Sequence, residues 1–263
     1  MPHKLYQLDA FADEPFKGNP AAVCLLEGPE PDAWMQALAS EMNLSETAFL
    51  LPGKNGWRLR WFTPKIEVDL CGHATLASAK VLFTNQPELR KQPIQFQTRS
   101  GTLLARWSAG AVELDFPVMA YEPLDVTASI VAVLGFKPVR AVYSGSYFLF
   151  EAQDETLIRQ ARPDIAAMEK LPMPEVIITA VSRDPDFDFI SRFFAPQLGV
   201  NEDPVTGSAH CLLAPYWSSK LDKSEFNAFQ ASSRGGKLHL KLSGDRVRIT
   251  GDAKFIFTAD LFV

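Results

Sequence analysis

An internal repeat constrains the fold of this chain more than any other feature of its sequence. When residues 31–68 are compared with residues 163–200, an offset of 132, eight of the 38 positions are identical, whereas about two or three would match by chance. A three-residue insertion changes the offset to 135 and then pairs Gly72 with Gly207. A repeat of this length predicts two similar α+β halves that share one architecture.

Each half is predicted to be a strand-rich sheet wrapped around a central helix, which starts at Gly72 or at Gly207. In the first half Ala33–Met42 has the residues of a helix. Pro117–Pro123 is typical of a linker, so the predicted lobes are residues 1–118 and 119–263, and the last strand is allowed to return to the first lobe. The strands predicted in the first half are Lys4–Phe11, Ala21–Leu26, Thr47–Leu51, Trp57–Phe62 and a hairpin of Leu103–Trp107 with Val112–Phe116.

Two glycine-containing turns, each followed by small residues, are the predicted ligand-binding elements. They are Leu70–Ala77 and Asp203–His210. Both read as helix starts, where unpaired backbone N–H groups and the positive end of the helix dipole favour a carboxylate or phosphate. We expect the two turns to be the facing halves of one site.

Positions where the two copies differ cannot be required by the shared fold alone. At the offsets given above, Glu46 aligns with Ile178 and His73 aligns with Ser208, while Asp203 falls within the insertion. The sequence therefore indicates that acid–base groups were added to a symmetric scaffold at these three positions.

The chain resembles the phenazine-biosynthesis (PhzF-like) isomerases, which share the two-lobed fold of diaminopimelate epimerase. The resemblance covers nearly the whole chain and implies an active site between the lobes, with Glu46 as proton donor and acceptor and with His73 and Asp203 holding and polarising the substrate. It also implies catalysis without metal or coenzyme. The motifs that carry it are Asp9-Ala10-Phe11, Gly18-Asn19-Pro20, Ser45-Glu46-Thr47-Ala48-Phe49, Phe62-Thr63-Pro64, Cys71-Gly72-His73-Ala74-Thr75 and Glu202-Asp203-Pro204-Val205-Thr206-Gly207-Ser208.

The same motifs supply the residues that we expect to bind substrate: Asn19, Ser45, Gly72, Ala74, Thr75, Thr206, Gly207 and Ser208. The chain departs from the two-cysteine pattern of the epimerase, because Cys71 is matched in the second turn by Thr206-Gly207. Cys71 is therefore interpreted as a small buried residue, with a thiol nucleophile as the alternative.

Each proposed role has a structural alternative. Glu46 could be an exposed or capping carboxylate, His73 could serve only to hydrogen-bond the loop, Asp203 could form a turn before Pro204, and Asn19 could shape its own turn.

Composition excludes several classes of function. A net charge of −5 and a pI near 5.5 argue against a nucleic-acid binder, and the apolar runs are shorter than the roughly 20 residues of a membrane span. No secretory signal follows the N-terminus, and three scattered cysteines are too few for a disulfide framework or a zinc site. We expect a cytoplasmic protein that binds neither nucleic acid nor membrane, with a homodimer left open.

The resemblance to the PhzF-like isomerases implies a cofactor-independent isomerase, and we expect it to move a proton on a small carboxylate-bearing metabolite. A carboxylate such as Glu46 can act as the acid–base group if burial raises its pKa. The alternatives are a two-lobed binding protein without catalysis and a racemase or epimerase that depends on Cys71.

Overall fold

The structure is a computed structural model that describes residues 3–263. The order of its elements confirms a strand-rich α+β chain. Its strands are β1 (Lys4–Ala10), β2 (Asn19–Leu25), β3 (Glu46–Gly53), β4 (Gly56–Phe62), β5 (Glu67–Val68), β6 (Ile94–Thr98), β7 (Gly101–Ser108), β8 (Ala111–Pro117), β9 (Glu122–Pro123), β10 (Arg140–Ser144), β11 (Tyr147–Glu151), β12 (Glu175–Val181), β13 (Phe189–Ala195), β14 (Val200–Asp203), β15 (Glu225–Gln230), β16 (Gly236–Ser243), β17 (Arg246–Gly251) and β18 (Ala253–Asp260).

Within residues 3–263, six α-helices accompany these strands. They are α1 (Asp32–Met42), α2 (Gly72–Asn85), α3 (Ala128–Leu134), α4 (Glu155–Gln160), α5 (Ile165–Met168) and α6 (His210–Leu221). The predicted first helix and the predicted strands of the first half are confirmed to within a few residues at their ends. Of the helices formed by residues 3–263, none is long and apolar enough to cross a membrane.

The chain divides into two compact units. The first contains the residues up to Phe116 together with Arg248–Val263, and the second contains Pro117–Val247. The last strand therefore groups with the first unit, where β18 pairs with β1. The predicted division into lobes of residues 1–118 and 119–263 stays a prediction.

The strands follow the same order of pairing in both units. In the first unit β1 is antiparallel to β2, β2 is parallel to β3, β3 is antiparallel to β4, and β4 is parallel to β6. In the second unit β10, β11, β12, β13 and β15 repeat this sequence of directions. The structure thus supports the internal repeat that the sequence predicts.

One helix in each unit is buried on nearly every side. In α2 the residues from Gly72 to Ala79 are all buried, and α6 buries His210–Ala214 with Tyr216 and Trp217. A helix that is buried all round belongs in a core and needs no polar face. Burying one Leu, Val or Phe side chain contributes about 1.5–3 kcal/mol, so these helices hold their units together.

A bidentate ion pair recurs at the same place in both units. Arg60 donates to both carboxylate oxygens of Glu67 at 2.6 Å, and Arg192 donates to those of Glu202 at 2.7 and 2.9 Å. The guanidinium carbons lie 5.1 Å from the rings of Phe62 and Phe194, respectively. Because the same three groups recur, they fix which residues of the two units are equivalent.

This equivalence corrects the alignment at β3. Phe49 is the partner of Arg60 in the first unit, and Ile178 is the partner of Arg192 in the second. The offset at this strand is therefore 129, and the residue equivalent to Glu46 is Glu175, not Ile178. Backbone hydrogen bonds at the ends of these strands agree with the offset of 129. The N–H of Leu26 donates to the carbonyl of Leu50, and the N–H of Ala152 donates to that of Thr179, both at 2.8 Å.

The position of Asp203 is corrected in the same way. Phe193 pairs with Asp203 in the second unit, whereas Trp61 pairs with Val68 in the first. Asp203 is therefore equivalent to Val68 and does not lie within an insertion. The second unit instead has three more residues in each of three successive connections, from β11 to β12, from β12 to β13 and from β13 to β14.

Gly18→Ala is predicted to destabilise the protein more than Gly110→Ala. Both glycines have positive φ, which costs any other residue about 1–2 kcal/mol. A Cβ on Gly18 would lie 2.2 Å from the carbonyl oxygen of Ala10, while none of the described atoms lies within 4 Å of one on Gly110. Denaturant unfolding should show a further loss of about 2 kcal/mol for Gly18→Ala. Equal losses would contradict the close packing at Gly18.

Candidate active site

Glu46 and His73 form the closest acid–base contact among the predicted site residues. Glu46 is the first residue of β3, and His73 is the second residue of α2. The Nε2 atom of His73 lies 3.2 Å from Oε2 of Glu46, and the two side chains are 6% and 18% exposed. Their relative orientation falls outside hydrogen-bond geometry. The contact is thus a close approach of two proton-carrying groups in a largely buried place.

The hydrogen bonds of the His73 ring define its tautomer. Its Nδ1 atom lies 3.2 Å from the amide nitrogen of Asn19 and 3.5 Å from Sγ of Cys71. An amide nitrogen can only donate, so Nδ1 accepts. Burial lowers the pKa of His73 to about 3, and the ring is therefore neutral near pH 7. The hydrogen-bond network thus assigns the single ring proton to Nε2, which faces Glu46.

Strand pairing explains why these side chains meet. Ala21 is the parallel partner of Glu46, and Asn19 begins the same strand two residues earlier. Residues two apart in a strand point to the same face, so Asn19 and Ala21 share a face of β2. The small side chain of Ala21 leaves Glu46 in direct contact with the start of α2.

The start of α2 is the first of the two predicted anion-binding turns, and anion binding there stays a prediction. Gly72, His73, Ala74 and Thr75 are all buried, and the Thr75 hydroxyl donates to the Cys71 carbonyl at 2.5 Å. Within the described chain, no side chain caps this helix. The backbone N–H groups of its first turn have no partners inside the helix and can bind a carboxylate.

In the second unit, Asp203 and Thr206 are held by Gln230. The Thr206 hydroxyl donates to Oδ2 of Asp203 at 2.5 Å. The Gln230 amide donates to the Asp203 carbonyl and accepts from the Thr206 N–H, both at 2.8 Å. The backbone N–H of Thr206 is therefore already used within the protein, and ligand binding by Gly207 and Ser208 stays a prediction.

Gln230 is not among the predicted site residues, although its place in the strand pattern indicates a buried polar group. Phe226, Ala228 and Gln230 alternate with more exposed residues along β15, and all three are buried. A glutamine at an inward-facing strand position requires polar partners. Here those partners are the backbone groups of the second turn.

The prediction that the second central helix starts at Gly207 is wrong by three residues. Residues 207–209 form a turn, and α6 begins at His210. His210 Nδ1 donates to the Thr206 carbonyl at 2.9 Å, as the Thr75 hydroxyl does to the equivalent carbonyl in the first unit. Burial lowers the pKa of His210 to about 4. Residues 207–209 thus form a turn where the first unit already has α-helix. Their positions are still equivalent to the first residues of α2.

The predicted site residues form two clusters, one in each unit. Asn19, Glu46 and His73 meet around Cys71 in the first, beside Gly72, Ala74 and Thr75 of the helix start, and the half-buried Ser45 directly precedes β3. Asp203, Thr206, Gly207 and Ser208 form the second cluster. Binding of one substrate by both clusters stays a prediction.

Three side chains in the first cluster also have the chemistry of metal ligands. One ligand atom each from Glu46, Cys71 and His73 lies within 4.8 Å of the other two. Carboxylate, thiolate and imidazole are all zinc ligands, and catalytic zinc sites use three protein ligands. The expectation of catalysis without a metal therefore stays a prediction.

Stability is predicted to fall with pH below about 6.5, in part because of the two buried histidines. The folded-state pKa values, about 3 for His73 and about 4 for His210, lie below that of an unfolded histidine. The unfolded chain then binds more protons, which costs up to about 1.4 kcal/mol per pH unit for each histidine. His73→Asn should flatten the decline in unfolding free energy measured by denaturant titration between pH 6.5 and 4. His239→Asn, on the surface, is the control, and equal slopes for both variants would contradict the assignment.

Known proteins identify the family of the chain. The sequence model of the family described as "Phenazine biosynthesis-like protein" matches residues 8–259. An uncharacterized isomerase of Halalkalibacterium halodurans is 47% identical over 264 aligned positions, which cover 100% of both chains. The crystal structure of a PhzF-family phenazine biosynthesis protein from Enterococcus faecalis matches 100% of both chains with a TM-score of 0.95 and 41% identity.

A more distant structure shows how widely the fold is shared. A probable proline racemase from Agrobacterium radiobacter matches 99% of this chain and 93% of its own with a TM-score of 0.66, at 11% identity. That likeness concerns the fold alone, which is the diaminopimelate epimerase-like fold. The chain therefore belongs to the PhzF family of phenazine biosynthesis-like proteins, and it is an isomerase.

Proposed function

We propose that this isomerase moves a proton on a small carboxylate-bearing metabolite, with Glu46 as the acid–base group and without a metal or coenzyme. The observation that carries the proposal is the 3.2 Å approach of His73 Nε2 to Glu46 Oε2 at the start of α2. A base must lie within about 2.6–3.2 Å of the proton that it removes, so substrate would bind against this pair.

The proton transfer can be written with Glu46 alone as the carrier. Its carboxylate removes a proton from a carbon next to the substrate's activating group, and the electrons of the broken C–H bond form an enolate-like double bond. Protonated Glu46 then gives the proton to another carbon of the conjugated system, and the double bond moves. A neutral histidine can donate a hydrogen bond to the developing oxyanion, and His73 carries its proton on the nitrogen suited to this.

Backbone groups would hold the substrate's carboxylate. The first turn of α2 offers the N–H groups of Gly72, His73 and Ala74, and the positive end of the helix dipole adds to their attraction. We propose that Gly207 and Ser208 contribute further contacts from the second unit, with Asp203 polarising the substrate. The Asp203 carboxylate is held in place by the Thr206 hydroxyl, which would fix its orientation for this role.

The cellular setting follows as a proposal. Cys24, Cys71 and Cys211 are buried free thiols, and we propose a cytoplasmic protein. We expect a small-molecule carboxylate as the partner, with no nucleic acid or membrane, and a homodimer as the assembly to test. A shared fold does not fix the identity of the substrate.

Glu46→Gln is predicted to reduce turnover by about 10²–10⁴, the contribution of a positioned acid–base group. The amide keeps the size and polarity of the side chain and removes its ability to carry the proton. A metabolite mixture incubated in D₂O with the protein should contain a carboxylate that gains deuterium at carbon. Mass spectrometry should find this deuterium with the unchanged protein and not with Glu46→Gln. Equal incorporation by both would exclude Glu46 as the proton carrier.

The matched control is Cys71→Ser. The Cys71 thiol lies 3.5 Å from Nδ1 of His73, which is the observation that favours a thiol-dependent racemase as the second candidate. If Glu46 carries the proton, Cys71→Ser should change turnover by less than about tenfold. A larger loss for Cys71→Ser than for Glu46→Gln would establish the thiol mechanism, and retained ligand binding without any deuterium exchange would indicate a binding protein.

Removal of metal ions is predicted to leave activity intact. Turnover should survive exhaustive dialysis against a chelator, because the proposed step uses only Glu46, His73 and backbone donors. Turnover and metal content should be measured before and after dialysis. Activity that disappears and returns with one divalent ion would instead assign Glu46, Cys71 and His73 as its ligands.

A further inference from the structure

The first cluster contains three side chains of the kinds that bind zinc. Zinc in proteins is held by thiolate, imidazole and carboxylate groups, and sites with three protein ligands keep a fourth position open. Glu46, Cys71 and His73 supply one group of each kind, and one ligand atom from each lies within 4.8 Å of the other two. The set therefore has the composition and the size of a three-ligand zinc site.

The contact between Glu46 and His73 has the geometry of two ligands of one ion. Zn–N and Zn–O distances of about 2.0–2.2 Å at a tetrahedral angle separate the two ligand atoms by about 3.3–3.6 Å. The Nε2 atom of His73 lies 3.2 Å from Oε2 of Glu46. The same Nε2 is buried and has no hydrogen-bond partner among the described residues. A separation of this size without a hydrogen bond fits two atoms that face one metal ion.

Charge also favours a divalent cation at this place. The carboxylate of Glu46 and the thiolate of Cys71 carry two negative charges, and a neutral imidazole adds none. One Zn²⁺ ion cancels these charges, so the largely buried site becomes neutral when the ion binds. The Glu46 side chain is 18% exposed, which leaves its carboxylate within reach of an ion from solvent. Mg²⁺ and Ca²⁺ prefer oxygen ligands and do not match this set.

The equivalent positions of the second unit lack these ligands. Thr206 and Ser208 take the places of Cys71 and His73 beside Glu175. Hydroxyl groups are not among the usual protein ligands of zinc. The fold therefore does not require a thiol and an imidazole next to this glutamate, and their presence in the first unit is a property of that site alone.

We propose that Glu46, Cys71 and His73 bind one Zn²⁺ ion and that the bound ion switches the isomerase off. Binding forms bonds from the ion to Oε2 of Glu46, Sγ of Cys71 and Nε2 of His73. The thiol proton leaves to solvent and the ring proton moves from Nε2 to Nδ1, so one proton is released for each ion bound. The inhibition, unlike the binding, rests on the proposed function, because a metal-bound carboxylate no longer exchanges protons with a substrate.

Asn19 can support His73 in both states. Its amide nitrogen donates to Nδ1 in the free protein, at 3.2 Å. A half-turn of the amide places Oδ1 at the same point, where it accepts from Nδ1–H. Histidines that bind a metal usually donate their other ring N–H to such an acceptor. Zinc binding thus changes the tautomer of His73 without loss of its hydrogen bond to Asn19.

Zinc binding is tested first in the free, dialysed full-length protein. Titration against a chromophoric chelator should show one ion bound per chain. Co²⁺ in place of zinc should give the charge-transfer absorption of a cobalt–thiolate bond. In ¹⁵N spectra of labelled histidine, the His73 signals, identified by their absence in His73→Asn, should change from the Nε2–H to the Nδ1–H tautomer when zinc is added. No binding, or a cobalt spectrum without the thiolate band, would overturn the site.

Cys71→Ser and Cys24→Ser are the matched variants. Cys71→Ser should weaken zinc binding by at least about 100-fold, since groups that only hydrogen-bond to a metal ligand already contribute about 10–100-fold. Cys24→Ser removes another buried thiol of the first unit, which packs in a core beneath α1, and should leave the zinc affinity unchanged. Equal affinity in Cys71→Ser and in the unchanged protein would contradict the assignment, because the ion would then bind elsewhere.

Turnover tests the inhibition, using the metabolite found by deuterium exchange at low concentration. Zinc at ten times its Kd should reduce the rate about tenfold, and a chelator should restore it. Mg²⁺ at the same concentration should have no effect. Cys71→Ser, measured against its own zinc-free rate, should need about 100-fold more zinc for the same inhibition. Equal sensitivity of the two proteins, or activation by zinc, would overturn the inhibitory role.

The two proposals fail separately. Full turnover by Glu46→Gln would remove the proposed function and leave the zinc affinity and cobalt spectrum of the unchanged protein as they are. A protein that binds no zinc would remove the present inference and leave the loss of turnover in Glu46→Gln unaffected.

Discussion

The neutral state of His73 is the condition on which the proposed chemistry of the first cluster depends. A charged imidazole beside Glu46 would form a stable ion pair and hold the carboxylate away from a substrate carbon. Burial prevents this by lowering the pKa of the ring, and Asn19 completes the arrangement by occupying Nδ1. A buried polar group of this kind is costly unless its partners are placed by the fold. Here they are placed by the parallel pairing of β2 with β3 and by the start of α2.

The two copies of the scaffold differ at two positions close to their equivalent glutamates. Both units have a glutamate at the start of the equivalent strand, so the carboxylate does not by itself distinguish them. The difference lies at the helix start, where His73 is replaced by Ser208, and across the strand pair, where Ala21 is replaced by Tyr147. In the first copy the imidazole of His73 thus lies next to the carboxylate of Glu46. In the second copy the hydroxyl of Tyr147 is hydrogen-bonded to that of Ser208.

Much of the fold could be predicted because it follows from local patterns. Period-two strands, the hairpin of β7 with β8, and the buried helix beginning at Gly72 all have short-range signals. The resemblance to the PhzF-like isomerases allowed four residues of the first cluster to be grouped, because each lies in a shared motif. They are Asn19, Glu46, Cys71 and His73. Long-range partners had no such signal, so Gln230 and Tyr147 became visible only through strand pairing.

The error in the alignment of the repeat shows what sequence identity can conceal. The matched Thr-Ala pairs at residues 47–48 and 179–180 are coincidental, because cross-strand pairing places Thr47 opposite Phe62 and Val176 opposite the equivalent Phe194. Three small insertions in successive connections shift the register, while Arg60 and Arg192 remain aligned. His73 and Asp203 therefore differ from the equivalent residues of the other unit, as the sequence predicted. Glu46 does not, because its equivalent, Glu175, is also a glutamate. The case for Glu46 rests instead on its contact with His73.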